Sequence, residues 1–233
     1  MQHLGIGLPG QDLLDLGSGT GALAIPFAKQ GAHVTAVDLS EGQIQAGRQS
    51  AHRQGASLIF KVAPAEATGL PNHSFDVITA SMCSGYFDIL RMGAEVPRLL
   101  RVNSLLLISS LIWIAGKDAI ASRTESLLAK HNGKSGRGGC DRNAEIVPAW
   151  SRIRFRLQTH HEFKVDLSFT REGWRGRLRA SKWVGAVLTP ERTEAFGDLT
   201  GLGFAHKQPP TEWRNKHKMR ERRPHCGLRR KPS

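Results

Sequence analysis

The stretch Leu13-Leu-Asp-Leu-Gly-Ser-Gly-Thr-Gly21 constrains this chain more than any other, because three glycines at alternate positions follow an apolar run and precede a helix-forming one. Asp12 to Leu16 has the apolar density of a short buried strand, and Ala22 to Gln30, stopped at Gly31, suits a helix. A strand that passes into a helix through glycines lets a ligand approach the backbone closely, since no Cβ stands in the way. The free N–H groups and partial positive charge of the helix start point the same way. His33 to Asp38 is the next strand and ends in an acid, and Ser40-Glu-Gly-Gln43 has the form of a capping box opening a helix to about Gln54.

The same alternation continues. Ser57 to Val62 reads as a third strand, Phe75 to Ala80 as a fourth, Ile89 to Leu100 as a helix and Leu105 to Ile114 as an apolar central strand. Strands and helices alternating at this spacing predict an α/β fold with a doubly wound, mainly parallel sheet covered on both faces. Ligands on such sheets bind at the carboxyl ends of the strands, where the strand order reverses. Beyond Ile114 the pattern loosens. Asp118 to Lys130 suits a helix, and 131–141, with four glycines, a mobile loop. His161 to Phe169 alternates like a strand, Arg171 to Val187 suits a helix, and Thr189-Pro-Glu191 opens another. The expected organisation is one domain over 1–206, made of a ligand-binding core (1–114) and further elements (115–206), followed by a tail (207–233).

Composition narrows the setting. No run approaches the roughly 18 apolar residues of a membrane span, and the N-terminal residues lack the blocks of a signal peptide, so a cytoplasmic protein is expected. Cys83, Cys140 and Cys226 are odd in number and far apart, which suggests neither a disulfide framework nor a metal site. The net charge of +13 is concentrated: Arg214 to Ser233 holds nine Lys or Arg and one acid, a net +8, leaving +5 for the rest. Residues 207–233 also have four prolines and few large apolar side chains, which predicts a mobile extension with at most weak, salt-sensitive contacts to nucleic acid.

Asp15-Leu-Gly-Ser-Gly-Thr-Gly21, Val37-Asp38-Leu39-Ser40, Ala63-Pro-Ala-Glu66-Ala-Thr-Gly-Leu-Pro71 and Phe75-Asp76-Val-Ile-Thr79 together resemble the class I S-adenosylmethionine-dependent methyltransferases, in the small-molecule branch often called type 11. The likeness covers about Leu13 to Ser110. Phe169 to Arg179 with Val184-Gly-Ala is similar to a segment of trans-aconitate-methyltransferase-like members. The resemblance implies S-adenosyl-L-methionine as cofactor. The loop of Gly17, Ser18, Gly19, Thr20 and Gly21 would pass beneath its methionine part, with Asp15 near the amino group. Asp38 would take the ribose hydroxyls, Leu39 would cover an adenine face, and the Ala65-Glu66 backbone would meet the adenine edge. Ser81, with Met82 and Cys83, would line the transfer site. Pro64 stands where many members have an acid, and Glu66 is the candidate substitute. Only about ten residues precede the first strand where members carry lid helices, so a shortened member is expected. The final antiparallel strands of the family would fall near the tail, for instance around Cys226 to Leu228.

Methyl transfer from a sulfonium needs mainly positioning and desolvation of the acceptor, so no catalytic residue can be read from the sequence. Cys83, Tyr86 and His73 are placed near the expected site, although residues of these types are more often packing. Arg171, Arg175, Arg179 and Lys182 share one helical face. Arginine forks match carboxylates, which makes Arg175 and Arg179 candidates for holding a small acid. A solvated charged face is the plainer reading. The motifs for base methylation are absent, so the expected partner is a small-molecule acceptor. Two alternatives stay open: a degenerate paralogue without activity, and a nicotinamide-binding oxidoreductase, since Gly17-x-Gly19-x-x-Ala22 also satisfies that fingerprint.

Overall fold

The computed structural model describes residues 4–113, 119–132, 151, 154–179 and 217–230. In chain order the elements are β1 (Asp12–Leu16), α1 (Ala24–Lys29), β2 (His33–Asp38), α2 (Glu41–Arg53), β3 (Ile59–Val62), β4 (Phe75–Ser81), a single 3-10 turn (Ser84–Tyr86), α3 (Ile89–Leu99), β5 (Leu100–Ser109), β6 (Ile112–Trp113), α4 (Ala119–Asn132), β7 (Phe155–Phe169), α5 (Arg171–Arg179) and β8 (His217–Arg230). They divide into two compact units: 1–110 with 145–161 and 224–233, and 111–144 with 162–223.

In the first unit the strands run β3-β2-β1-β4-β5-β8, parallel as far as β5. Consecutive residues alternate between two cores. Leu14, Leu16, Ile78, Leu106 and Ile108 pack with Met92, Val96 and Leu99 of α3, whereas Leu13, Val34, Val77 and Leu107 pack with Ile25 and Phe27 of α1 and Ile44 of α2. Apolar side chains on both faces are what a parallel sheet requires, and they explain why these strands read as apolar runs. Order reverses between β1 and β4, the place where a doubly wound sheet opens a crevice. The register puts the strand ends level there: Leu16 lies beside Val37 on one side and Ala80 on the other, and Asp38 beside Val62.

Two expectations need correction. Residues 217–230, assigned to a mobile tail, form β8, and His225 to Arg229 pair antiparallel with Ser109 to Leu105. Leu228 is buried in the core with Leu106 and Ile108. A basic composition does not prevent a backbone from joining a sheet, because the ladder is made of N–H and C=O groups that every residue but proline carries. Residues 207–216 and 231–233 of that expectation lie outside the described residues. The central strand begins at Leu100, not Leu105, and ends at Ser109. Its pairing with β4 jumps from Phe75↔Leu100 to Val77↔Leu105, and Asn103 at φ +61° turns the extra residues out.

In the second unit, Trp174 of α5 is buried and its Nε1 donates to Thr124 Oγ1 of α4 at 3.2 Å. Phe169 meets the Trp174 ring edge-on at 5.5 Å between centroids, and the Arg177 guanidinium stands over Phe169 at 5.6 Å. Thr170 caps α5, its Oγ1 accepting from Gly173 N at 3.0 Å. The expected continuation of α5 to Val187, the helix at Thr189, and the loop 133–141 lie outside the described residues.

Candidate functional site

β1 delivers the glycine turn to the crevice. Gly17, Gly19 and Gly21 have φ of +62°, +54° and +84°, backbone that side chains with a Cβ rarely adopt. At Gly17 a Cβ would also fall 2.7 Å from Cys83 Cβ, so the residue after β4 packs against the bare backbone. At Gly19 a Cβ would meet only Gln43 Oε1, at 3.8 Å. Among the described residues nothing else fills the space over Gly19. Ser18 N donates to Val37 O at 3.0 Å and Gly21 N to Ser18 O at 2.9 Å, which ties the loop to β2 and curls it back.

Asp38 joins the loop to the next element. One carboxylate oxygen accepts from Gly19 N at 2.8 Å and the other from Ser40 N at 2.9 Å. A carboxylate oxygen has two acceptor sites, so each keeps a lone pair for a further donor. Ser40 then caps α2, its Oγ accepting from Gln43 N at 3.4 Å as the capping-box spacing predicts. Leu39 between them is 73 % exposed, an apolar side chain held out of the core at the crevice edge. α1 starts at Ala24, two residues later than expected, with Leu23 at its cap.

Beneath the loop, Asp15 is buried and Thr79 Oγ1 donates to its Oδ1 at 2.6 Å. Burial pushes its pKa up to about 7, with the Thr79 bond opposing. Thr79 escaped the sequence reading; the available signal was a polar residue inside the buried run Phe75 to Ala80, beside Asp15 across a parallel pair. Ser18 Oγ is buried on the same loop and has no hydrogen-bond partner among the described residues.

The far wall follows β4. Ser109 Oγ donates to Ser81 Oγ at 2.7 Å, and Met82, at φ +63°, donates its N–H to Ser109 O at 2.9 Å. The Cys83 thiol donates to Leu16 O at 3.1 Å, and burial followed by the Asp15 charge pushes its pKa up, so it is a packing group against Gly17 and a poor nucleophile. Tyr86 is half exposed on the 3-10 turn. Ala65 is buried beyond β3, and Glu66 Oε1 accepts from Asp88 N at 2.9 Å.

The first unit therefore brings together Asp15, Gly17 to Gly21, Asp38, Leu39, Ser81 and Cys83 at the carboxyl ends of β1, β2 and β4, with Ala65 and Glu66 following β3. His73 does not join them. It precedes β4, and its Nδ1 lies 3.0 Å from Leu100 O at the amino end of the sheet, a strand's length away. Arg175 and Arg179 belong to α5 of the second unit, and the side chains of Arg171, Arg179 and Lys182 lie outside the described residues. Among the described residues no group of three His, Cys, Asp or Glu could hold a metal ion, and no helix is long and apolar enough to cross a membrane.

Residues 13–103, the span from β1 through the glycine loop into β5, match the family model of a methyltransferase domain. Over that span the chain is similar to methyltransferase domains. Over 98 residues the domain is 36% identical to nocamycin O-methyltransferase of Saccharothrix syringae, a match spanning 40% of this chain and 35% of that protein. Over 95 residues it is 37% identical to demethylmenaquinone methyltransferase of Clavibacter sepedonicus, spanning 40% and 37%. The matches thus span little more than a third of these relatives. Among solved structures the fold resembles the YcgJ protein of Bacillus subtilis, with a TM-score of 0.61 and 16% identity over 97% of this chain and 94% of that one. It also resembles geranyl diphosphate methyltransferase in complex with SAM, with a TM-score of 0.54 and 20% identity over 99% and 82%. These establish a Rossmann-like methyltransferase fold with the expected doubly wound, mainly parallel sheet.

Proposed function

We propose that the crevice binds S-adenosyl-L-methionine and that the protein transfers its methyl group to a small-molecule acceptor. The observation that carries this is the Asp38 carboxylate, fixed by Gly19 N and Ser40 N with lone pairs remaining, beside a glycine whose missing Cβ leaves open space. The residues present fit the group. Asp38 would accept ribose hydroxyls, exposed Leu39 would lie on an adenine face, and the Gly17–Gly21 loop would pass under the methionine part, where buried Ser18 Oγ has hydrogen-bonding capacity to offer. Asp15, under the loop, would sit near the amino group, and the Ala65-Glu66 backbone would meet the adenine edge. When bound, the cofactor supplies an electrophilic methyl group on a sulfonium. The chain's own part is to orient the acceptor and exclude water, which needs no nucleophile from the protein and accords with the inert thiol of Cys83.

For the acceptor, Met82, Tyr86, Ile89 and Leu90 are exposed between β4 and the first turn of α3, which suits a molecule with an apolar body. A carboxylate on that acceptor is the finer proposal, and the sequence offers Arg175 as its partner. Arg175→Ala is then expected to raise the acceptor KM and leave cofactor affinity unchanged, and equal kinetics would remove Arg175 from the proposal.

Calorimetric titration of the protein and its Asp38→Ala variant with S-adenosylmethionine and S-adenosylhomocysteine tests the cofactor assignment. The variant is expected to bind about 1.5 to 3 kcal/mol more weakly, the range for hydrogen bonds to a charged group. Unchanged affinity would overturn it.

A further inference from the structure

The segment 63–72 between β3 and β4 has no regular structure, yet one helix holds it at two separated places. At its start Ala63 N donates to Asp38 O at 3.1 Å, and Ala63 and Ala65 are buried in the α3-side core. Near its middle Glu66 Oε1 accepts from Asp88 N, at the cap of α3. Further along, Thr68 N and Thr68 Oγ1 both donate to Glu95 Oε1, at 2.9 and 2.7 Å, and Thr68 Oγ1 accepts in turn from Leu70 N at 3.3 Å. Arg98 closes the clamp. Its Nε donates to Glu95 Oε2 and one terminal nitrogen to Glu95 Oε1, both at 2.8 Å, while the other reaches Leu70 O at 2.7 Å and Asn72 Oδ1 at 2.6 Å.

Thr68 and Glu95 are both buried. Burial raises the Glu95 pKa, but the bonds from Arg98 and Thr68 outweigh it and hold the group ionised. A buried carboxylate satisfied on both oxygens is costly to assemble unless every partner stays in place, so the segment has one well-defined position.

That position matters because of what the segment lacks. Pro64 offers no side-chain acceptor and no backbone N–H, and Asp88 N holds one oxygen of the Glu66 carboxylate at the cap of α3. Recognition of a base here falls to the peptide groups of the segment and to the Glu66 carboxylate that they carry. A side chain can rotate to follow its ligand, whereas a peptide group recognises a base edge only where its backbone is fixed.

We infer that Glu95 and Arg98 are positioning residues for base recognition: acting through Thr68 and Leu70, they fix the Ala65-Glu66 backbone and so set the preference for adenine over other purines. This rests on the cofactor reading proposed above. The test is a ratio, the dissociation constant of S-inosylhomocysteine, in which a carbonyl oxygen replaces the 6-amino group, divided by that of S-adenosylhomocysteine. Both are measured by calorimetry on the full chain at a temperature well below each protein's melting point. The wild type is expected to prefer the adenosyl ligand at least tenfold. Glu95→Gln is expected to reduce that preference fivefold or more, and Thr68→Val, which keeps the backbone bond and the side-chain shape, to reduce it by a smaller factor. Thr68→Ser, which restores the hydroxyl, should recover the wild-type ratio. A merely structural clamp would lower the melting temperature and leave the ratio alone, and that outcome in Glu95→Gln, or in Thr68→Val should the first variant not fold, overturns the inference while sparing the cofactor reading. Equal wild-type affinity for the two ligands also overturns it. Failure of the wild type to bind either overturns the cofactor reading and this inference with it.

Discussion

The buried carboxyl of Asp15 is the residue whose charge state most depends on the fold. In the unfolded chain it ionises near 3.8, and in the folded protein near 7. Because the folded state holds the proton more tightly, stability from this group is fully present below about pH 4, falls as pH rises towards 7, and is least above it. Asp15→Asn keeps an acceptor for the Thr79 hydroxyl and removes the titration. The melting temperature of the variant relative to wild type is therefore expected to climb between pH 4 and 7. A difference that stays flat across that window would show that Asp15 is ionised throughout. The acid, the three glycines and Asp38 were legible in the sequence because each occupies a position whose backbone or strand end demands it. Thr79 was not, since a threonine in a strand is ordinary until its neighbour across the pair is known. The Glu95–Arg98 clamp was invisible for a similar reason: its partners at Thr68, Leu70 and Asn72 lie 26 to 28 residues away in sequence.

At the scale of elements, α2 shows how one residue type has opposite effects within a single helix. Gly42 lies in the first turn, where an added Cβ would meet only Ser40 Oγ at 3.9 Å. Gly47 is buried, and its added Cβ would stand 2.7 Å from Cε1 of the Phe60 ring on β3. Gly42→Ala is expected to stabilise by about 0.4 to 1 kcal/mol through the entropy of the unfolded chain. Gly47→Ala gains the same term and loses about 1 to 3 kcal/mol to overpacking against a buried ring, for a net destabilisation. Urea denaturation of both variants checks the pair, and a stabilised Gly47→Ala would mean that Phe60 has room to move. Apolar runs set between glycine turns and capping signals made β1 to β4 and α1 to α3 readable to within a few residues. The start of β5 was not readable, because Leu100-Arg-Val-Asn-Ser104 bulges, and a bulge breaks the period of two on which strand reading depends. Arg101 explains why this irregular stretch stays docked: its guanidinium bonds Asp76 at 2.7 Å and Asp12 at 2.8 Å, across the amino ends of β4 and β1.

For the whole molecule, the decisive element is the strand that composition had written off. Leu228 is buried to 1 % exposure beside Leu106 and Ile108, on a strand supplying an outer ladder to β5. Leu228→Ala is expected to cost about 2 to 5 kcal/mol. Ending the chain at residue 216 should lower the melting temperature by more than that single variant does, and a truncated chain that melts with the wild type would restore the mobile-tail reading. Charge counting failed here because it weighs side chains, whereas a strand is held in a sheet by its backbone ladder, here with a buried leucine beneath it. Distance along the chain then has a consequence for synthesis. Leu105 pairs with Arg229, so a ribosome must add a further 124 residues before β5 meets this neighbour. At about 5 to 20 residues per second that leaves the apolar edge of β5 open for roughly 6 to 25 s in every nascent chain, long enough for a chaperone, or another copy still being made, to reach it first.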